Sequence, residues 1–251
     1  MNLNYKDILG IIPARYNSTR LLGKALMDID GKTMIQHVYE RANQVLENVI
    51  VATDDDRIYK TVINFGGNCI MTDSNHSTGT NRCLEAYQKW VEQTKKDYKI
   101  ILNIQGDEPL LNDEHLKNLI SCFEDKTTSI ASLGLQVKHD EILNEGSVYI
   151  VLDENNFALY FSRFPIPFLR DIPKDKWTQH HNYYKHIGIY GFTKSALNNF
   201  ASMKSSSLEK SEKLEQLRWM EAGNKIKIAI TNAPSIPVDT REDLDAVRKL
   251  F

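Results

Sequence analysis

Ile8-Leu9-Gly10-Ile11-Ile12, continued by Pro13-Ala14-Arg15-Tyr16-Asn17-Ser18-Thr19-Arg20-Leu21-Leu22-Gly23-Lys24, is the stretch on which the fold turns. Its first five residues are apolar without alternation, which predicts a strand buried on both faces, as in a parallel sheet. The loop that follows carries three fixed cations, Arg15, Arg20 and Lys24, with Gly23 directly before the lysine. In open α/β sheets, ligands bind beyond the carboxyl ends of the strands, where this loop must lie. Cations gathered there suit a polyanion, and a nucleoside triphosphate is a small one that fits; a solvated basic loop is the alternative. The loop is no Walker A motif, because Ala25 follows Gly23-Lys24 and Ser18 stands where its first glycine belongs. The G-x-G-x-x-G dinucleotide fingerprint is also missing here.

Outward from this stretch, strand and helix alternate up to about residue 138. Ile35, Val38, Tyr39, Ala42 and Val45 recur at helical spacing before a short strand, Val49 to Ala52. Ile58, Val62 and Phe65 mark a second helix closed by Gly66-Gly67; Leu84, Tyr87 and Val91 mark a third, followed by the strand Ile100 to Ile104. This rhythm predicts a mostly parallel sheet with helices on both faces. It breaks at about 139–205, where strand-like runs (148–152, 157–161, 184–192) surround the loop Phe164-Pro165-Ile166-Pro167-Phe168. That region reads as an inserted subdomain with antiparallel pairing. One helix over about 207–222, a strand at 225–231 and a last helix capped by Thr240 complete the chain.

The 251 residues suffice for one large α/β domain or two small ones. With 41% hydrophobic and 25% charged residues the composition is that of a soluble globular protein. A net charge of −2 argues against nucleic acid as the main partner. Cys69, Cys83 and Cys122 show no C-x-x-C spacing and read as buried free thiols of a reducing compartment. No export signal is visible at the N-terminus, and no run reaches the ~18 apolar residues of a membrane span. A cytoplasmic protein without membrane contact is expected.

Four further constellations bear chemistry. Asn103-Ile104-Gln105-Gly106-Asp107-Glu108-Pro109 follows a buried strand, so Asp107 reaches the crevice of the first loop. A carboxylate among triphosphate-binding cations calls for a metal between them, and Mg²⁺ takes one or two carboxylates plus substrate phosphates; a plain turn is the alternative. Asp239, just before the last helix, is the partner carboxylate, or else a capping acid. His76-Ser77-Thr78-Gly79-Thr80-Asn81-Arg82 opens a helix, either as a ligand-binding N-terminus or as an ordinary cap. Beyond it lie Tyr160-Phe161-Ser162-Arg163, Tyr183 to Tyr190 and Leu214-Glu215-Gln216-Leu217-Arg218-Trp219. Arg163 and His186 suit a substrate carboxylate, and Glu215 and Gln216 suit hydroxyls; a structural histidine and a solvated helix face are the alternatives.

Taken in order from residue 8 to residue 245, these pieces, with V-A-T-D-D and V-D-T-R-E-D-L, resemble the 3-deoxy-manno-octulosonate cytidylyltransferases, or CMP-Kdo synthetases. The resemblance implies a single domain over 1–251 with a Rossmann-like nucleotidyltransferase fold and a dimerising, sugar-binding insertion. It implies that CTP and a 3-deoxy-ulosonic acid, Kdo first of all, give CMP-sugar and pyrophosphate for lipopolysaccharide biosynthesis, with Mg²⁺ as cofactor. By the same resemblance Arg15, Arg20 and Lys24 bind the triphosphate. Thr53, Ser77, Thr78, Gly79, Thr80 and Gln105 line the cytidine site, and Asp107 and Asp239 hold Mg²⁺. Arg15, Lys24, Asp107 and Asp239 are then the catalytic set, Arg163, His186, Tyr190, Glu215 and Gln216 face the sugar acid, and the protein is a homodimer. Four positions depart from the pattern: Leu22 replaces a usual proline, Thr78 a serine, Asn81 an acid and Tyr149 a lysine. The last two leave an 8-amino or sialic-type acid open as the sugar, and a catalytically silent nucleotide-binding protein is the rival from another class.

Overall fold

The opening apolar run is β1 (Ile8–Ala14), an interior strand of one large sheet. The computed structural model describes residues 4–18, 20–76, 78–141 and 143–251. After β1 come the small hairpin β2 (Asp28–Ile29) and β3 (Lys32–Thr33), then α1 (Met34–Val45), β4 (Val49–Thr53), α2 (Asp56–Asn64) and β5 (Cys69–Met71). They are followed by α3 (Gly79–Thr94), β6 (Ile100–Asn103), α4 (Asp113–Ser121), β7 (Ile130–Gln136), β8 (Tyr149–Leu152) and β9 (Ala158–Ser162). The rest of the chain forms α5 (Trp177–His180), β10 (Tyr184–Thr193), α6 (Lys194–Ser202), α7 (Ser207–Glu212), α8 (Leu217–Glu221), β11 (Lys227–Thr231) and α9 (Arg241–Arg248).

The sheet runs in the order β11-β7-β10-β6-β1-β4-β5. β1 pairs in parallel with β4 on one side and β6 on the other, with Ile11 opposite both Ile50 and Asn103. The chain thus proceeds from β1 in one direction and returns to its other flank. The crevice at such a reversal is where open α/β sheets bind ligands, and the loops after β1 and β6 both open into it.

Alternation along β1 explains the two helical layers. Ile8 and Ile12 point into a core with Ile35, Val38 and Ala42 of α1, Ile58 and Val62 of α2, and Leu116 and Leu119 of α4. Leu9 and Ile11 face Cys83, Ala86 and Tyr87 of α3, Leu197 and Phe200 of α6, and Trp219 of α8. A smaller core of Ile29, Met34, Val238, Leu244 and Val247 seats α9 against the β2–β3 hairpin. All three cysteines are free and buried; burial pushes the thiols of Cys69 and Cys122 up to about 12 and about 11.

Two expectations are corrected. The region at about 139–205 is not set apart along its whole length, because β10 is an interior strand of the main sheet, antiparallel to β6 and β7. α6 likewise joins the layer of α3. The β8–β9 hairpin extends the sheet from β10 and buries Ile150, Ala158 and Phe161 in the main core; with the loops around α5 it borders a side lobe that has a small core of Val137, Leu143, Tyr149, Trp177 and Tyr183. Second, the helix expected over about 207–222 is two helices. Lys213 turns left-handed (φ +55°), and the end of α7 is held by Arg163, which donates to the carbonyls of Glu212 and Lys213 at 2.8 and 3.3 Å. Those carbonyls have no partner once a helix stops, so a guanidinium is an effective cap.

Within β10, Gly191 lies opposite Leu102 and Ala131, and a Cβ there would lie 2.6 Å from Cε2 of the buried Phe123. Gly191→Ala should cost about 1–3 kcal/mol by overpacking, lowering Tm by roughly 5 °C in a domain of this size; thermal denaturation followed by circular dichroism checks this.

Candidate active site

The loop after β1 is folded back on itself by two short bonds: the amides of Ser18 and Gly23 both donate to the carbonyl of Tyr16 at 2.9 Å. Gly23 takes φ +69°, and a Cβ there would lie 2.9 Å from the Tyr16 ring. The ring's other neighbour is the Arg57 guanidinium, 3.3 Å from its centroid, itself held by Asp55 through bonds of 3.0 and 2.7 Å. The first turn of α2 therefore braces the cationic loop, a contact between distant residues that no local pattern announces.

The folded loop delivers Lys24 to two carboxylates. Its Nζ lies 2.7 Å from Oδ2 of Asp107, after β6, and 3.1 Å from Oδ1 of Asp239, before α9. Arg20 reaches the same Asp239 oxygen at 2.7 Å. The backbone ties the two acids' segments together, since the Val238 amide donates to the Asp107 carbonyl at 2.8 Å. Thr240 caps α9, accepting from the Asp243 amide, while Asp243 accepts from the amides of Asp239 and Thr240. Asp239 is thus free of capping duty. Glu108, beside Asp107, does not line the cavity; burial pushes its carboxyl up to about 7, against a hydrogen bond from Ser235.

These groups stand around a cavity of about 290 Å³. Arg15, Arg20, Lys24, Thr78, Gly79, Gln105, Asp107 and Asp239 line it, together with Pro13, Ser18, His76 and Arg82. Thr78 caps α3 by accepting from the Asn81 amide at 3.2 Å, a task serine does equally well. Ser77 lies outside the described residues. Two residues expected at the nucleotide are not among those lining the cavity. Thr53 is fully buried, its carbonyl accepting from the Thr72 amide and hydroxyl. Thr80 donates to Glu215 at 2.8 Å. The residue that sequence reasoning passed over is Arg82. It is buried, bonded to Asp54 at 2.7 Å and to Thr72 at 2.6 Å, and ties the V-A-T-D-D segment to α3. A charged residue adjoining the buried face of an amphipathic helix was the available signal.

Beyond Thr80 lies a second group of side chains. Tyr190 pairs across the sheet with Asn103, and the Gln105 amide donates to the Gly188 carbonyl at 2.8 Å. Burial and the nearby Glu215 carboxylate both push the Tyr190 hydroxyl well above its usual range. Glu215 and Gln216 sit in the bend between α7 and α8, not on a helix face, and Gln216 is buried. Asn81 Oδ1, Asn103 Oδ1, Glu215 Oε1 and Gln216 Nε2 are among the buried polar atoms without a hydrogen-bond partner in the described structure, which leaves them open to a ligand or a water.

The two residues expected to clamp a carboxylate have partners within the fold. Arg163 spends its guanidinium on the carbonyls of Gly146, Glu212 and Lys213. His186 packs between Phe161 and Tyr190, and burial pushes its imidazole down to about 3, so it is neutral at pH 7. It meets Ser132 Oγ at 2.9 Å as a hydrogen-bonding group rather than a cation.

The profile of the cytidylyltransferase family matches residues 9–226. The 3-deoxy-manno-octulosonate cytidylyltransferase of Parabacteroides distasonis is 46% identical over 242 residues, 94% of this chain and 95% of its own length. The chain belongs to that family. Its counterpart in Fusobacterium nucleatum is 47% identical over 95% of this chain and 94% of its own. A CMP:2-keto-3-deoxy-manno-octonic acid synthetase solved with CTP superposes with a TM-score of 0.88 at 40% identity, covering 97% of this chain and 98% of the other. As a member the protein is a nucleotidyltransferase with the Rossmann-like fold of the group.

Within this family frame, Leu22 is exposed at the tip of the cationic loop, whose shape rests on Tyr16 and Gly23. Tyr149 is a core residue of the side lobe, its hydroxyl bonded to the backbone of Asn144, so it does not bear on the choice of sugar. Gly23→Ala forces a side chain into left-handed backbone at a cost of about 1–2 kcal/mol and pushes on Tyr16. Binding of inorganic tripolyphosphate, measured by calorimetry, should weaken about tenfold.

Proposed function

We propose that the protein transfers the cytidylyl group of CTP to the anomeric hydroxyl of 3-deoxy-manno-octulosonate, releasing pyrophosphate, as a step toward lipopolysaccharide. The oxygen–phosphorus bond forms at the α-phosphorus as the bond to the β-phosphate breaks, and the hydroxyl loses its proton. The observation that carries this reading is the convergence of Lys24 and Arg20 with Asp107 and Asp239 at one cavity, in a chain of this family. Arg15, Arg20 and Lys24 receive the triphosphate and offset the charge that gathers on the departing pyrophosphate. Such transfers need positioning and charge stabilisation more than covalent help from the protein.

Asp107 and Asp239 suit Mg²⁺: they are hard oxygen donors already drawn to one point by a cationic group, and among the described residues no third acid, histidine or cysteine joins them. The remaining ligands would come from phosphates and water. When bound, the ion supplies positive charge to the phosphate oxygens. Gln105, Thr78 and Gly79 face the nucleoside; Tyr190, Glu215 and Gln216 face the sugar, with His186 as a neutral hydrogen-bonding wall.

We assign a homodimer paired through the side lobe, supported by Leu159, Phe164 and Phe168, which are 58, 46 and 72% exposed there. The free buried thiols suit a reducing cytoplasm, and among the described residues no helix is long and apolar enough to cross a membrane.

Pyrophosphate release from CTP should require 3-deoxy-manno-octulosonate; release with an 8-amino or sialic-type acid alone would reassign the sugar, and binding of CTP without release would leave a silent binding protein. Asp107→Asn and Asp239→Asn should each lower kcat by about a hundredfold or more with Tm little changed. Turnover near the wild-type rate would remove that residue from the metal site. Phe168→Glu should give a monomer by light scattering, and an unchanged dimer would move the interface elsewhere.

A further inference from the structure

The bend that holds Glu215 is built over a buried charge cluster. Arg218, at the start of α8, is 7% exposed. Its Nε donates to Glu209 Oε2 at 2.9 Å and its Nη2 to Glu209 Oε1 at 2.5 Å, a two-pronged pairing that a lysine cannot make. Nη1 reaches the Met203 carbonyl at 3.4 Å, and the guanidinium lies 5.4 Å from the centre of the Phe200 ring. Glu209 is fixed in turn, as the third residue of α7, by the capping box it forms with Ser206. This scaffold places Arg218 Nη2 3.6 Å from Glu215 Oε1, too long for a hydrogen bond yet close enough to hold the carboxylate by charge. The other oxygen, Oε2, accepts from the Thr80 hydroxyl at 2.8 Å. Oε1 is left buried and without a hydrogen-bond partner, beside the equally unpartnered Gln216 Nε2 of the next residue.

We propose that Arg218 and Glu209 are positioning residues for the sugar: they hold Glu215 in the α7–α8 bend with Oε1 presented to a substrate hydroxyl, while Thr80 pins Oε2 from the nucleotide-binding side. This rests on the reading that Glu215 faces the sugar acid. One guanidinium serves two carboxylates here, so the cluster repels the substrate's carboxylate and selects for its hydroxyl groups. The buried pair has no need to add stability, since such pairs commonly break even with apolar packing; what it adds is a defined direction for one oxygen.

The test measures kcat and both KM values by pyrophosphate release, with Tm, for Glu215→Gln, Arg218→Lys, Arg218→Met and Glu209→Gln. Losing a charge-assisted hydrogen bond or its alignment is worth about tenfold or more. Glu215→Gln and Arg218→Met should therefore raise the KM for 3-deoxy-manno-octulosonate by about that factor, with the KM for CTP within about twofold. Arg218→Lys keeps the charge and should recover part of the loss; Glu209→Gln should shift the sugar KM in the same direction by less. Combining Glu215→Gln with Arg218→Lys should cost little beyond Glu215→Gln alone, as expected of residues acting through one group. If Glu215→Gln raises the sugar KM while Arg218→Lys and Glu209→Gln leave it unchanged, the positioning role is overturned. If Glu215→Gln leaves the sugar KM unchanged, the placement of Glu215 at the sugar is what fails. Should Arg218→Met not fold, the lysine and glutamine variants decide; a fall in Tm with both KM values unchanged marks the cluster as structural only and overturns the proposal.

Discussion

The Lys24 ammonium, held between Asp107 and Asp239, is the contact around which the site is organised, because it draws three remote segments to one point. Each arrives for a separate reason. Lys24 is delivered by a loop folded over the Tyr16 carbonyl, Asp107 by the end of β6, and Asp239 by the entry to α9. The small core of Ile29, Met34, Val238, Leu244 and Val247 holds α9 where its leading acid meets the loop, so apolar burial far from any substrate sets a distance between charges. An ammonium between two carboxylates is itself satisfied, which lets a site meant for a polyanion exist before the polyanion arrives.

β10 supplies the second constraint. As an antiparallel strand inside an otherwise parallel run, it contributes Tyr190 beside Asn103 at the crevice and, at its other end, pairs with β8 of the side lobe. A single strand thereby ties the main sheet to the lobe that carries the exposed aromatic surface. The tight approach of Gly191 to Phe123 shows how closely the helix layer follows this strand.

Polar groups inside the molecule fall into two kinds. Arg82 with Asp54 and Thr72, and Arg218 with Glu209, are paired throughout, as burial of charge requires. Asn81, Asn103, Glu215 and Gln216 each keep one buried atom without a partner, and such groups cost stability unless something else completes them. Arg218 stands 3.6 Å behind Glu215, a paired group supporting an unpaired one, which is the order expected where rigidity supports recognition.

Local physics made much of this legible in the chain alone. The unbroken apolar run at 8–12 marked a strand buried on both faces, the βα rhythm predicted a parallel sheet layered by helices, and Arg15, Arg20, Lys24 and Asp107 stood at strand ends where such sheets bind ligands. Thr240 was readable as the cap of α9, because capping depends on neighbours three residues away. What depended on long-range packing was decided by the tertiary structure. No spacing shows that β10 enters the main sheet, that Lys213 breaks a helix, or that Arg163 is consumed as its cap. Nor does spacing show that Thr53 is fully buried while Thr80 bonds to Glu215. In each case the side chain's partner sits many residues away, and its role followed from which backbone or charge the fold brought within hydrogen-bond reach.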